Sequence, residues 1–492
     1  MARRRNPVPG LVAVALVPAL LLAGCWRIAG GRAAGGTPVV IDGASIGAGD
    51  EGAGIAAIAL PTPLLSVRRA PAVLARDVNL AAFTAQAQSF LANIDETSCA
   101  AISIDGVPVA ATNADTPLRP ASNVKLLTAA VALEVLGPEF TYVTQVRGTL
   151  VDGRVVGDLY FVGGGDPVLN NTWWKGPNAK FPPFNNTSVE QFADSIVNAG
   201  VTVIEGSVIG DPSRYDEEWY APSWFDDVRF IEGGPVSGLL VSDSRESPDR
   251  SSNDPAVGAA TVLTNELRAR GILVNGEPGR GVAPPDLAVV ASTSSLPLPA
   301  VLAEMLTTSD NTAAEMVLKE IGLQGAGQGT REAGLGVVMS TLQSWGVPTD
   351  GTVLVDGSGL SDENRFTCNA FLAVLQHLAV DDPVGAGLPV AAQAGGTLAD
   401  AFEGTPMEGV LRAKTGTLYN YDDGIGGRPA VKALSGFVPL EGGGAIEFSM
   451  LLTGPQIAEK VEYRPIWDAF AALLAGYPSG PTAAQLAPVG AS

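Results

Sequence analysis

Residues 118–137 read LRPASNVKLLTAAVALEVLG. A proline, an alanine and a serine precede a run that is apolar almost throughout, the pattern of a helix start. Ser122 and Lys125 stand three positions apart, so on a helix they share one face at its first turn. A lysine inside an apolar run gains nothing from packing. The pair is either a capping serine beside a snorkelling lysine, or a nucleophile beside its base.

Composition narrows the chemistry. The chain has 492 residues, more than one core accommodates, since domains usually hold ~100–200. Its formal charge of −21 repels phosphates and argues against nucleic-acid partners. There are 23 arginines, seven lysines and one histidine, His377. One histidine excludes multi-histidine metal sites, and neither metal nor cofactor is expected. His377 lies in FLAVLQHLAV, an amphipathic helical pattern in which a structural role suffices.

The N-terminus runs MARRRNPVPGLVAVALVPALLLAGC, basic, then apolar, then small. That order is a signal-peptide pattern, and the apolar run is shorter than the ~20 residues a spanning helix needs. Residues 1–25 are therefore expected to direct export. Residues 26–75, rich in Gly, Ala and Pro, are read as a flexible linker. Export would put the mature chain in an oxidising space. Cys99 and Cys368 are then the remaining thiols apart from Cys25, and the sequence leaves open whether they pair.

The layout beyond residue 75 is α/β. A helical pattern leads to CAAISIDG and VPVAATNAD, a hairpin turning at Asp105-Gly106. Residues 76–145 are read as the first part of one domain, 146–292 as a β-rich insertion, and 293–478 as the first domain resumed. Residues 479–492 are read as a tail. WWKGPNAKFPPFNNT and SDSRESPDRSSNDPAVG are expected to be loops.

Of the seven lysines, Lys125 alone has a serine three positions before it. Two further motifs give the pair weight. TTSDNTAAE places Ser309, Asp310 and Asn311 at a helix junction, and LRAKTGTLYN places Lys414, Thr415 and Gly416 on a strand-like run. Ser-x-x-Lys, Ser-Asp-Asn and Lys-Thr-Gly in this order mark serine acyl-transfer enzymes. A serine hydroxyl is a poor nucleophile unless a base takes its proton. Without a usable histidine that base is a lysine, whose ordinary pKa of ~10.4 must be lowered by burial or a nearby cation. Lys414 would supply the cation, Ser309 a proton relay, and Asn311 hydrogen bonds to a substrate amide. Thr415 and Gly416 would line an open strand edge where an extended peptide can add. Backbone N–H groups of Ser122 and Thr417 would hold the oxyanion.

These motifs resemble those of the class C low-molecular-mass penicillin-binding proteins, the DacB-type or penicillin-binding protein 4 D-alanyl-D-alanine carboxypeptidases/endopeptidases. GDLYFVGGGDPVL, DGSGLSDENRFT and VKALSGFV extend the resemblance over roughly residues 76–475. It implies a serine transpeptidase/β-lactamase-like domain, an antiparallel sheet flanked by helices, interrupted by an inserted domain. It implies acylation of Ser122 with Lys125 as base, peptidoglycan stem peptides as substrates, and β-lactam antibiotics as inhibitors. LLAGC resembles a lipobox, which would anchor the exported chain to the membrane through Cys25; an uncleaved signal anchor is the alternative. The 187 residues between Ser122 and Ser309 leave room for one inserted β-rich domain. YAPSWFDDVRF resembles the segment that carries an aspartate facing the stem peptide's side chain, here Asp227, with Asp226 the neighbouring candidate. Two departures stand out. YNYDDGIGGRPA lengthens the turn after Lys-Thr-Gly. Asp362 occupies a position where relatives carry a carboxylate-binding arginine, which predicts an unusually acidic side-chain pocket unless Arg365 substitutes. A β-lactamase or esterase on the same fold, with Glu363 as a deacylating carboxylate, is the alternative; a non-catalytic wall-binding protein would lack a motif residue.

Overall fold

Asp105 and Gly106 take φ of 50° and 74°. Two successive positive φ values are what a two-residue hairpin turn requires. The turn joins β1 (Cys99–Ile104) to β2 (Val107–Thr112). The computed structural model describes residues 70–487, apart from 178–179, 227, 230–231, 420–428 and 442. The signal-type segment, Cys25, nearly all of the linker and most of the long turn after Lys-Thr-Gly lie outside the described residues. No described helix is long and apolar enough to cross a membrane.

α1 (Ala70–Leu91) begins inside the segment read as linker. Pro71 falls in its first turn, where a missing N–H costs nothing, so the Pro-rich composition hid a helix start. β1 pairs with β2 on one side and with β8 (Ala445–Gly454) on the other. Beyond β8 come β7 (Ala430–Pro439) and β6 (Arg412–Leu418), giving an antiparallel order β6-β7-β8-β1-β2 with β6 outermost. All six residues of β1 are buried, and successive ones face opposite cores. Cys99 and Ala101 join α2 (Val124–Leu136), α5 (Leu298–Thr308), α6 (Asn311–Ala326) and α7 (Cys368–His377) on one face. Ala100, Ile102 and Ile104 join α1 and α8 (Lys460–Ala475) on the other. His377 stacks on Trp345 with ring centroids 4.0 Å apart, a packing role.

A disulfide links Cys99 to Cys368, α-carbons 6.1 Å apart, which answers the question the sequence left open. It ties the first residue of β1 to the first residue of α7, across 269 residues of chain. A buried crosslink of this kind belongs to an oxidising compartment.

The second sheet comes from residues 143–294. β3 (Val143–Val151), β4 (Arg154–Val162) and β5 (Val289–Ser294) form its long part. Four short strands complete it, Val203–Ile204, Val208–Asp211, Leu273–Val274 and Gly279–Arg280. α3 (Val189–Asn198) and α4 (Pro255–Ala269) close its apolar core through Phe192, Ala259 and Leu263 against Val146, Leu159 and Phe161. One stretch read as loop is partly regular. SDSRESPDRSSNDPAVG contains two short strands and then the start of α4. Asp254 accepts from the N–H groups of Ala256 and Val257, with Pro255 at the first helical position, a start signal that the run of polar residues masked.

Candidate active site

The Ser-x-x-Lys stretch begins with a turn. Ala121 has φ 49°, buried and left-handed, and a single 3₁₀ turn, Ala121–Asn123, precedes α2. A non-glycine residue held there is strained, and the surroundings hold it. Asn123 donates to Ser435 Oγ at 2.7 Å, and Ser435 donates to Ser449 Oγ at 2.9 Å, tying the turn to the centre of the sheet. Neighbours without side chains make room for it. A Cβ at Gly359, which itself has φ 81°, would run into the Ala121 carbonyl. One at Gly416 would lie 3.0 Å from Ala121 Cβ and from the Pro120 carbonyl.

Lys125 is completely buried. Its ammonium donates to Ser122 Oγ at 3.1 Å, to Asn311 Oδ1 at 2.6 Å and to the Ser358 carbonyl at 2.7 Å. Burial lowers its pKa from 10.5 to about 8, against the opposing pull of Asp356, Asp310, Glu315 and Glu232. Burial is thus the cause, as an apolar helix predicts.

Ser309 breaks the long helical pattern. Its φ of 63° and ψ of 35° end α5, and Asp310 caps α6 by accepting from Ala313 N–H at 2.9 Å. Asn311 is then the first residue of α6. Its Oδ1 is engaged by Lys125, and its Nδ2 donates to the Glu232 carbonyl at 2.6 Å. Asn311 therefore holds Lys125 first and, among the described residues, has one N–H left for a ligand. Lys414, also fully buried, donates to Ser309 Oγ at 2.8 Å. Burial, then Lys125 and Lys432, hold its amine well below the ordinary value. Thr415 shares a 2.8 Å hydrogen bond with Thr397, and Thr417 accepts from Lys432. The three motifs, scattered over almost 300 residues, thus meet in two hydrogen-bonded groups, Ser122–Lys125–Asn311 and Ser309–Lys414, whose amines act on each other through charge.

Several members escaped the sequence reading. Glu315 accepts from Gly357 N–H and Ser358 N–H, both at 2.8 Å, and Asp356 from Gly359 and Ser361 N–H and from Asn364 and Trp224 side chains. Together they fix the loop whose Ser358 carbonyl meets Lys125. The signal was present in DGSGLSDEN, but without partners its aspartate is one among many.

The expectation of an acidic pocket at Asp362 is overturned. Arg119, buried just before Pro120, donates to Asp362 Oδ1 at 3.0 Å and also to the Pro429 carbonyl. The carboxylate is neutralised within the protein. Arg365 turns its guanidinium onto the Asp362 and Asn364 carbonyls. Glu363 is exposed. Asp227 lies outside the described residues, and Asp226 is exposed and paired with Arg229 at 3.2 Å. Beside Asn311, past the Glu232 carbonyl, is a cavity of about 350 Å³ lined by Trp174, Trp219, Tyr220, Arg229 and Asp243. Burial, then Asp310, raise the Asp243 carboxyl to about 8.

Residues 85–250 and 236–476 match the model of the D-Ala-D-Ala carboxypeptidase 3 (S13) family. The chain belongs to this family. Its enzyme class is accordingly that of a serine-type D-Ala-D-Ala carboxypeptidase. This S13 chain is 32% identical over 397 residues to the D-alanyl-D-alanine carboxypeptidase of Actinomadura sp. (strain R39), covering 65% of the chain and 71% of that relative. It is 30% identical over 359 residues to the carboxypeptidase DacB of Mycolicibacterium smegmatis, covering 68% and 71%. Its fold matches the crystal structure of penicillin binding protein 4 (dacB) from Haemophilus influenzae, with a TM-score of 0.65 and 20% identity over 79% of the S13 chain and 99% of that chain.

Proposed function

We propose that this S13 enzyme cleaves the terminal D-Ala-D-Ala bond, and the related crosslink bond, of peptidoglycan stem peptides through an acyl-enzyme on Ser122. The observation that carries this reading is the single amine, Lys125 Nζ, bonded at once to Ser122 Oγ and Asn311. Neutral Lys125 takes the serine proton as Oγ attacks the penultimate carbonyl. The oxyanion forms against the backbone N–H groups of Ser122 and Thr417, each such donor contributing ~3–4 kcal/mol in the transition state. Ser309, bonded to Lys414, passes a proton to the departing amine. Water then hydrolyses the ester, with the same groups in reverse. The substrate lies along β6, adding as a strand beside Thr415 and Gly416. Its side chain enters the cavity beyond Glu232, and Asp227 is the candidate carboxylate for it. β-Lactams acylate Ser122 in the same way, and a long-lived adduct separates this reading from a β-lactamase. Substrate and disulfide both belong outside the cytoplasm, and Cys25 or the signal segment anchors the enzyme to the membrane; mass spectrometry of the N-terminal peptide tests lipidation.

The test is Ser122→Ala. The substitution sits in a 3₁₀ turn where alanine is tolerated, so melting temperature should hold while fluorescent-penicillin labelling and D-alanine release disappear. Labelling that survives would sink the assignment.

A further inference from the structure

Lys432 has a contradictory environment. It lies on β7 directly opposite Thr417 of β6. Its side chain runs over Tyr463 and Trp467 of α8, with the ammonium 4.3 Å and 5.3 Å from the ring centroids. Those rings are fixed, Tyr463 edge-on to Trp467 at 4.7 Å and Trp467 stacked on Phe402 at 5.8 Å. The ammonium has little freedom and, among the described residues, a single hydrogen-bond partner, Thr417 Oγ1 at 2.8 Å.

Among the described residues no carboxylate comes within 4.0 Å of the ammonium. The carboxylate that acts on it, Asp400, is already shared by Lys180 at 3.5 Å, Lys460 at 2.5 Å and Arg464 at 2.9 Å. Lys414 lies beyond Thr415 on the next strand. In a chain of charge −21, three of the seven lysines, Lys180, Lys432 and Lys460, depend on this one aspartate. Burial, with Arg464 adding to it, lowers the Lys432 amine to about 8, so it carries its charge at neutral pH.

The hydroxyl supplies the missing link. An oxygen that accepts from an ammonium still has its own hydrogen to donate. Thr417 is partly exposed, whereas its neighbours Lys414, Thr415 and Gly416 are buried. Its proton is therefore the accessible end of an ammonium-to-hydroxyl chain, polarised towards an anion.

We infer that Lys432 is a positioning residue for substrate specificity, acting through Thr417 to fix the free α-carboxylate of the residue at the substrate's C-terminus. The inference rests on the reading of the cleft given above and adds to it the group that makes the enzyme demand a carboxylate. The test compares two stem-type peptides, one ending in D-Ala-D-Ala with a free carboxylate, the other amidated at that terminus. Wild type should prefer the free acid. In Lys432→Met, whose side chain still packs on the two rings, kcat/KM on the acid should fall about 10- to 100-fold while the amide is unaffected, so the preference collapses. Lys432→Arg should retain part of it. Thr417→Val should reproduce the loss without adding to that of Lys432→Met, and stands in should the methionine variant not fold. Equal losses on both peptides, or none, or a wild type indifferent to the carboxylate, would overturn the inference. A wild type that cleaves neither peptide and takes no penicillin on Ser122 would instead overturn the reading of the cleft.

Discussion

Five cationic side chains, Arg119, Lys125, Lys319, Arg331 and Lys414, are buried around the five-stranded sheet and its helices, and none among the described residues of 143–294. The seven-stranded sheet closes over Val146, Phe161, Phe192 and Leu263, and its arginines stay at the surface. Burying a cation costs free energy and lowers its pKa. A lysine that must be neutral near pH 7 needs that cost. The first region thus places chemistry ahead of stability, and residues 143–294 carry the plainer task of packing. Their contribution to the cleft is a wall, joined to α6 by ion pairs whose α6 partner is buried, such as Arg214–Glu320 at 2.6 Å.

The strongest way to break this contrast is Lys125→Arg, which keeps the charge but cannot give it up. Acylation by penicillin should fall about 10³-fold, within the range for a lost general base. In wild type the rate should rise as pH approaches 8 and level above it, following the lowered amine. The stability effect has a definite sign. Between about 8 and 10.5 the unfolded chain binds a proton that folded Lys125 does not, so stability rises with pH across that window. A penicillin rate independent of pH from 6 to 9 would remove Lys125 as the base.

Phe161→Ala attacks the other side of the contrast. It should cost about 3–5 kcal/mol of stability, as large-to-small changes in a closed apolar core do, and leave the pH profile of acylation unchanged. A shifted profile would mean that the second sheet tunes the amines after all. Replacing Cys99 and Cys368 together by serine should lower stability by about 2–5 kcal/mol in thermal melts, with the labelled fraction at low temperature unaffected. Smallest of all, Arg154→Ala removes an exposed pair with Glu205 and should change stability by less than about 1 kcal/mol.

Legibility in the sequence followed the range of the interaction. Ser122 and Lys125 are three residues apart, and helical spacing alone sets them side by side. Asp105-Gly106 announced the hairpin, because φ preference is local. Ser309, Lys414 and Asn311 were legible as motif members, though that Asn311 would be taken up by Lys125 was not. Arg119 and Asp362 lie 243 residues apart, and no local rule states which distant charge a carboxylate will meet; reading Asp362 alone gave an acidic pocket that Arg119 cancels. The Glu315 network was hidden for the same reason, since its acceptors serve N–H groups 42 and 43 residues on.

The nucleophile's turn is walled by Gly359, where a Cβ would overlap the Ala121 carbonyl, and by Gly416, where a Cβ would press on Ala121 at 3.0 Å. For antibiotic escape this closes a route. A drug-excluding substitution at either position would push Ala121, and with it Ser122, out of line, disabling turnover of the natural bond along with capture of the drug. Resistance arising in this enzyme should therefore map to the rim of the cleft, where side chains have somewhere to go, and leave its floor unaltered.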